Sequence, residues 1–211
     1  MDLASVAVAL VMLVDVSGSI DNREYELQRN GIVAAFEDRA VQRAIWQQRA
    51  IAVTVIEWSD TQRTVVPWRV LSDADGAVRF AGEVALVKRS SSGATHLGEA
   101  IIAGLESFAA CGCEPERRVL DVSGDGRSNG GKVALTVARV RAEAAEVMIN
   151  GLPILGDPSE PELDEYYRQE VISGGGFAIV ARDFADFARA LRQKLAREIA
   201  GVDFLRIASI P

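Results

Sequence analysis

Val6-Ala7-Val8-Ala9-Leu10-Val11-Met12-Leu13-Val14 runs directly into Asp15-Val16-Ser17-Gly18-Ser19. The apolar run reads as a buried strand. Strand side chains alternate, so the carboxylate and two hydroxyls at i, i+2 and i+4 project to one side. Three oxygen groups then converge at the carboxyl end of the strand, where open α/β sheets bind their ligands. Hard oxygen donors without nitrogen or sulfur suit Mg2+, Ca2+ or Mn2+ and argue against Zn2+. Taken alone, the same residues also read as a polar turn that caps the next helix.

Outward from this stretch, strand-like and helix-like segments alternate almost to the end of the chain, the pattern of a parallel sheet covered by helices. Asp21 and Asn22 predict a capped helix running to about Trp46, with Tyr25, Ile32, Val33, Phe36 and Ile45 among its apolar positions. Ile51–Ile56 is the second strand. A short polar link around Ser59 to Gln62 then predicts a hairpin into Thr64-Val65-Val66-Pro67-Trp68. Pro67 suits a sheet edge because it cannot donate to a ladder. A helix is expected over Asp75–Val87, then the loop Ser90–Thr95, then a helix from near His96 through Ile101, Leu105 and Phe108.

Arg118–Ser123 reads as a strand ending in Gly124-Asp125-Gly126-Arg127-Ser128-Asn129-Gly130-Gly131. A helix over Lys132–Ala145 and a strand over Val147–Asn150 follow. Gly151–Gly176 is irregular: Pro153, Pro158 and Pro161 interrupt it, Glu160, Glu162, Asp164 and Glu165 make it acidic, and Tyr166-Tyr167 adds aromatic bulk expected to pack. Phe177–Val180 is the last expected strand. Asp183 then caps an amphipathic helix with Phe184, Phe187, Leu191 and Leu195 on one face. The expected architecture is one domain over 1–211. It is α/β and doubly wound, with a Rossmann-like, mostly parallel sheet of six strands in the order 3-2-1-4-5-6. One antiparallel strand forms its edge, and helices cover both faces.

At 211 residues, with 49% hydrophobic and 25% charged residues, the composition is that of a water-soluble domain with a substantial core. A formal charge of −7, with scattered Arg and Lys, disfavours nucleic acid or an anionic membrane as partner. The first apolar run is too short to span a bilayer, and it reads as a strand rather than an export signal. Cys111-Gly112-Cys113 holds the only cysteines, which are compatible with free thiols or with a small labile disulfide.

In the expected sheet the first and fourth strands are neighbours, so Asp15 and Asp125 end side by side where the strand order reverses. Thr95, in a loop entering a helix, reaches the same crevice. Asp15, Ser17, Ser19, Thr95 and Asp125 are then five oxygen donors around one Mg2+, with Mn2+ or Ca2+ as substitutes and one position open. Two carboxylates against a dication leave about zero charge, so the open position accepts an Asp or Glu carboxylate from a protein partner.

Asp15-x-Ser17-x-Ser19, the later Thr95 and Asp125-Gly126 after an apolar strand resemble the metal-ion-dependent adhesion site of von Willebrand factor A domains. More narrowly, Arg117–Gly126, Ile149-Asn150-Gly151-Leu152 and Tyr166-Tyr167 resemble a bacterial family of exported, uncharacterised proteins of this type. The resemblance implies a six-stranded Rossmann-like fold, non-enzymatic binding of protein partners through a divalent cation, and a periplasmic or secreted location. This chain departs from the pattern at Gly124, where many relatives carry Thr directly before the Asp. Asp121, inside the strand, is expected to form a structural ion pair with Arg117 or Arg118.

Two rival readings carry less. Asp121–Gly126 mimics the opening of an EF-hand loop, but the twelfth position is Lys132 and a strand precedes it. A Mg2+-dependent phosphohydrolase using Asp15 as nucleophile usually needs a second carboxylate nearby, and Ser17 occupies that position. His96, the only histidine, reads as a solvent-facing residue at a helix start.

Overall fold

The computed structural model describes residues 4–157, 159–160 and 162–201. β1 (Ala4–Asp15) lies at the centre of a sheet with β2 (Ile51–Trp58), β3 (Gln62–Leu71), β4 (Cys113–Gly124) and β5 (Val147–Pro153). The strand order is β3-β2-β1-β4-β5. β1 runs parallel to both neighbours, with Leu10 opposite Val53 on one side and Val119 on the other. Its residues from Val6 to Asp15 are buried on both faces, which is why the run is continuously apolar rather than alternating. β2 and β3 form the expected antiparallel hairpin, with irregular register around Val55.

Even-numbered residues of β1, such as Leu10 and Met12, pack under α1 (Asn22–Glu37), α2 (Arg39–Gln47), α3 (Ala74–Ala85) and α7 (Phe187–Ala200). Odd-numbered Val11 and Leu13 pack on the other face. They lie under α4 (Leu97–Ser107), α5 (Leu135–Ala144) and a segment that opens with α6 (Leu163–Tyr166). Pro158 and Pro161, expected to interrupt this region, lie outside the described residues.

Three expectations need correction. The helix expected from Asp21 to Trp46 is two helices, because Asp38 takes an extended conformation and its carboxylate accepts from the Ala40 N–H at 2.8 Å, capping α2. A short acidic side chain competes for backbone donors and favours a cap over a helix interior.

Among the described residues the sheet has five strands instead of six. Residues 177–181 still run beside β5: Gly151 N–H donates to the Phe177 carbonyl, Ile179 N–H to Gly151, Ala181 N–H to Pro153, and Leu155 N–H to Ala181. Pro153 has no N–H to continue the ladder, so the pairing splits into isolated bridges, Gly151 with Ala178 and Ile154 with Ala181.

The buried partner of Asp121 is Lys194 at 2.7 Å, not Arg117 or Arg118. Arg117 instead donates to the Glu198 and Ile199 carbonyls at the end of α7, and Arg118 to the Ala145 carbonyl.

Candidate functional site

Asp15 ends β1 with no exposed surface. Its Oδ1 accepts from the Ser17 N–H at 2.8 Å, while its Oδ2 has no hydrogen-bond partner. The following loop is fastened from several sides. Val16 N–H donates to the Trp58 carbonyl, Gly18 N–H donates to the Gly93 carbonyl at 2.8 Å, and the Arg89 guanidinium donates to the carbonyls of Val16 and Ser17. The buried Gln28 of α1 donates to the Asp15 carbonyl. Asp21 then begins α1 with a reciprocal capping box to Glu24, so the loop is clamped between β1 and a well-capped helix.

The chain reversal brings four of the five expected residues into one hydrogen-bonded series. Ser17 and Ser19 hydroxyls are 3.2 Å apart, and the Ser19 hydroxyl donates to Asp125 Oδ1 at 2.8 Å. Thr95, also buried, is held from the far side of the crevice. Its N–H donates to Asn129 Oδ1 at 2.8 Å, its carbonyl accepts from Asn129 N–H and the Ser128 hydroxyl, and Asn129 Nδ2 donates to its Oγ1 at 3.4 Å. Thr95 is thus tied to the loop that follows Asp125 and not hydrogen-bonded to the other four side chains. Arg89, Gln28 and Asn129 escaped the sequence reading. Each is an isolated polar residue whose role depends on tertiary contacts, and no motif marks it. His96 is half-buried at the N-cap of α4 and makes no side-chain cap bond.

Burial, and then the charge of Asp125, pushes the Asp15 carboxyl up to about 7. Burial also raises Asp125, against the lowering effect of the Ser19 hydrogen bond. Among the described residues, no Lys, Arg or His forms an ion pair with either carboxylate. Two neighbouring acids therefore sit in a desolvated crevice without a compensating protein cation, a costly arrangement unless something positive is supplied. The donors are all oxygens, and the buried Asp15 Oδ2 is unpartnered; such a set fits a hard divalent cation. Among the described residues no group of three or more His, Cys, Asp and Glu side chains gathers. Any cation here would therefore meet two carboxylates and several hydroxyls rather than an acidic cage. A cavity of about 500 Å³ opens beside Ser19 and Asp125, with Leu27, Leu155 and Phe184 on its walls.

Solved structures share this architecture. Over 95% of this chain, the proximal thread matrix protein 1 of the mussel byssus, described with a zinc-occupied MIDAS motif, superposes with a TM-score of 0.66 at 15% identity. The chain spans about half the length of that mussel protein, 49%. A von Willebrand factor type A protein from Catenulispora acidiphila gives a TM-score of 0.61 at 20% identity, over 93% of this chain and 43% of that one. An aerotolerance-related membrane protein from Bacteroides fragilis gives 0.56 at 18% identity, over 89% of this chain and 98% of that one. At these identities the likeness is one of fold, and the fold is von Willebrand factor A-like. No curated protein matches the sequence. Residues 5–203 match a family described as "Protein of unknown function (DUF1194)", and the chain belongs to that family.

Proposed function

We propose that this is a non-enzymatic protein-binding domain whose partner contact runs through a divalent cation. Asp15, Ser17, Ser19, Thr95 and Asp125 hold it, directly or through water. Mg2+ is the proposed ion, with Mn2+ or Ca2+ as substitutes. The observation that carries this reading is the buried, unpartnered Asp15 Oδ2 next to a second buried carboxylate. When bound, the cation supplies the missing positive charge and an open coordination position for a partner's Asp or Glu. The chain's own part is to hold the hydroxyls and carboxylates in place through Arg89, Gln28 and the capped start of α1. The zinc-occupied MIDAS motif described for the mussel protein supports cation use by a domain of this fold.

The proposed partner is a protein, in keeping with the formal charge of −7. No described helix is long and apolar enough to cross a membrane, and the proposal includes no direct membrane insertion. A periplasmic or secreted setting is part of the proposal, and the Cys111–Cys113 disulfide supports it.

The test is capture of partners from the source organism with and without EDTA. Mg2+-dependent capture that Asp15→Ala abolishes supports the reading. Capture unaffected by EDTA and by Asp15→Ala contradicts it. Turnover of a generic phosphate ester that Asp15→Asn abolishes and Ser17→Ala spares would favour phosphohydrolysis instead.

A further inference from the structure

Tyr167 opens the π-helical turn Tyr167–Val171 after α6, and its side chain is fully buried. Two glycines on neighbouring strands make room for it. At Gly151 in β5, an added Cβ would lie 2.7 Å from the Tyr167 ring carbon Cδ1. At Gly124, which ends β4, an added Cβ would lie 2.8 Å from Tyr167 Oη and 2.7 Å from Asp15 Oδ2. Neither glycine has the left-handed backbone that would by itself require glycine. What each provides is space, and at Gly124 that space is bordered by two oxygens at once.

Both oxygens are buried and neither has a hydrogen-bond partner. If packing were the whole role of this side chain, phenylalanine would serve better, since an orphan buried hydroxyl is destabilising. A phenol carries its proton at neutral pH, so the hydroxyl is a donor bordering the same space as the Asp15 carboxylate.

We infer that Tyr167 is a positioning residue of the proposed cation site: its O–H, unpaired in the metal-free chain, donates to Asp15 Oδ2 once the ion is bound and fixes the rotation of that carboxylate. This rests on the cation reading above. A carboxylate oxygen has a second lone pair, so accepting from Tyr167 leaves one free for the ion. Groups that orient a ligating carboxylate are worth about 10- to 100-fold in metal affinity.

The experiment is a calorimetric titration of wild type and Tyr167→Phe with Mg2+, with tyrosine difference absorbance recorded on both. The expected result has three parts. Metal-free Tyr167→Phe melts no lower than wild type, having shed an orphan hydroxyl. Its Mg2+ affinity falls about 10-fold or more. It also lacks a tyrosine signal that saturating Mg2+ induces in wild type. A folded Tyr167→Phe that binds Mg2+ as tightly as wild type overturns the inference and leaves the cation reading intact. Wild type that takes up no Mg2+ overturns both. If Tyr167→Phe does not fold, the other two tyrosines decide. A Mg2+-induced signal that survives in both Tyr25→Phe and Tyr166→Phe assigns the perturbed ring to Tyr167, whereas no perturbation in saturated wild type overturns the inference.

Discussion

Two pairs of buried carboxylates lie at this sheet, and among the described residues only one of them is paired with a protein cation. Toward α7, Asp121 and Glu198 share Lys194, whose ammonium is 2.7 Å from one and 2.6 Å from the other. Asn150 donates to Glu198, and Phe177 N–H donates to Asn150, so the cluster is wired into β5 and its flanking segment. At the carboxyl end of β1, Asp15 and Asp125 have hydroxyl and backbone donors but, among the described residues, no ion pair with an ammonium or guanidinium. The first pair has a cation built into the chain. The second has none among the described residues, and in the proposed function an exchangeable ion takes that place.

The largest effect that tests this contrast is at Lys194. Lys194→Met leaves two buried carboxylates without their cation and is expected to cost about 3–5 kcal/mol in denaturant unfolding. Added Mg2+ is expected not to restore it, because the defect is in the core and not at the crevice. Restoration by Mg2+ would mean the two regions are not separate.

The next effect is pH dependence at Asp15. Its carboxyl is raised in the folded protein to about 7 from an ordinary 3.8. The folded state therefore binds the proton more tightly than the unfolded chain, and the stability linked to this group is complete below about pH 4. It is lost as pH rises toward about 7, on the order of 4 kcal/mol for a fully buried group. Burial and Asp121 also raise Glu198, which adds a loss of the same sign. Metal-free protein should thus melt lower at pH 8 than at pH 5. Asp15→Asn should remove the Asp15 part of that slope and raise the pH 8 melting temperature, and Mg2+ should do the same for wild type. An Asp15→Asn profile that parallels metal-free wild type would contradict the raised carboxyl.

Ser19 gives the smallest effect. Ser19 is an exposed residue whose hydroxyl donates to Asp125 Oδ1 at 2.8 Å and lies 3.2 Å from the Ser17 hydroxyl. Ser19→Ala should change stability by no more than about 0.5 kcal/mol while weakening Mg2+ binding several-fold in a titration. A loss of stability without a loss of affinity would make Ser19 a structural brace.

The sequence carried β1, the hairpin edge and the neighbouring strands of Asp15 and Asp125 because continuous apolar runs and alternation report burial directly. The Asp15-Ser17-Ser19 spacing was legible, but the expected strand alternation does not produce it: β1 ends at Asp15, and a turn in which Ile20 N–H donates to the Ser17 carbonyl carries Ser19 to Asp125. The break at Asp38 was not legible, because an Asp between apolar positions suits a helix surface as well as a cap. The missing sixth strand turns on Pro153, whose lost N–H matters only once its neighbour is known. Lys194 left a signal that could have been used. With Glu198 it falls on the α7 face of Phe187 and Leu191, where an ion needs a buried partner. Tyr167 read as packing. Its ring does pack, but the place of its hydroxyl depends on Gly124 and Gly151, far away in the chain.

The most direct measurement is the stoichiometry of Mg2+ uptake by calorimetry in wild type, Asp15→Ala and Asp125→Ala. The account predicts one ion per wild-type chain and none in either variant, with both variants folded. No uptake by wild type, or undiminished uptake by Asp15→Ala, would contradict it.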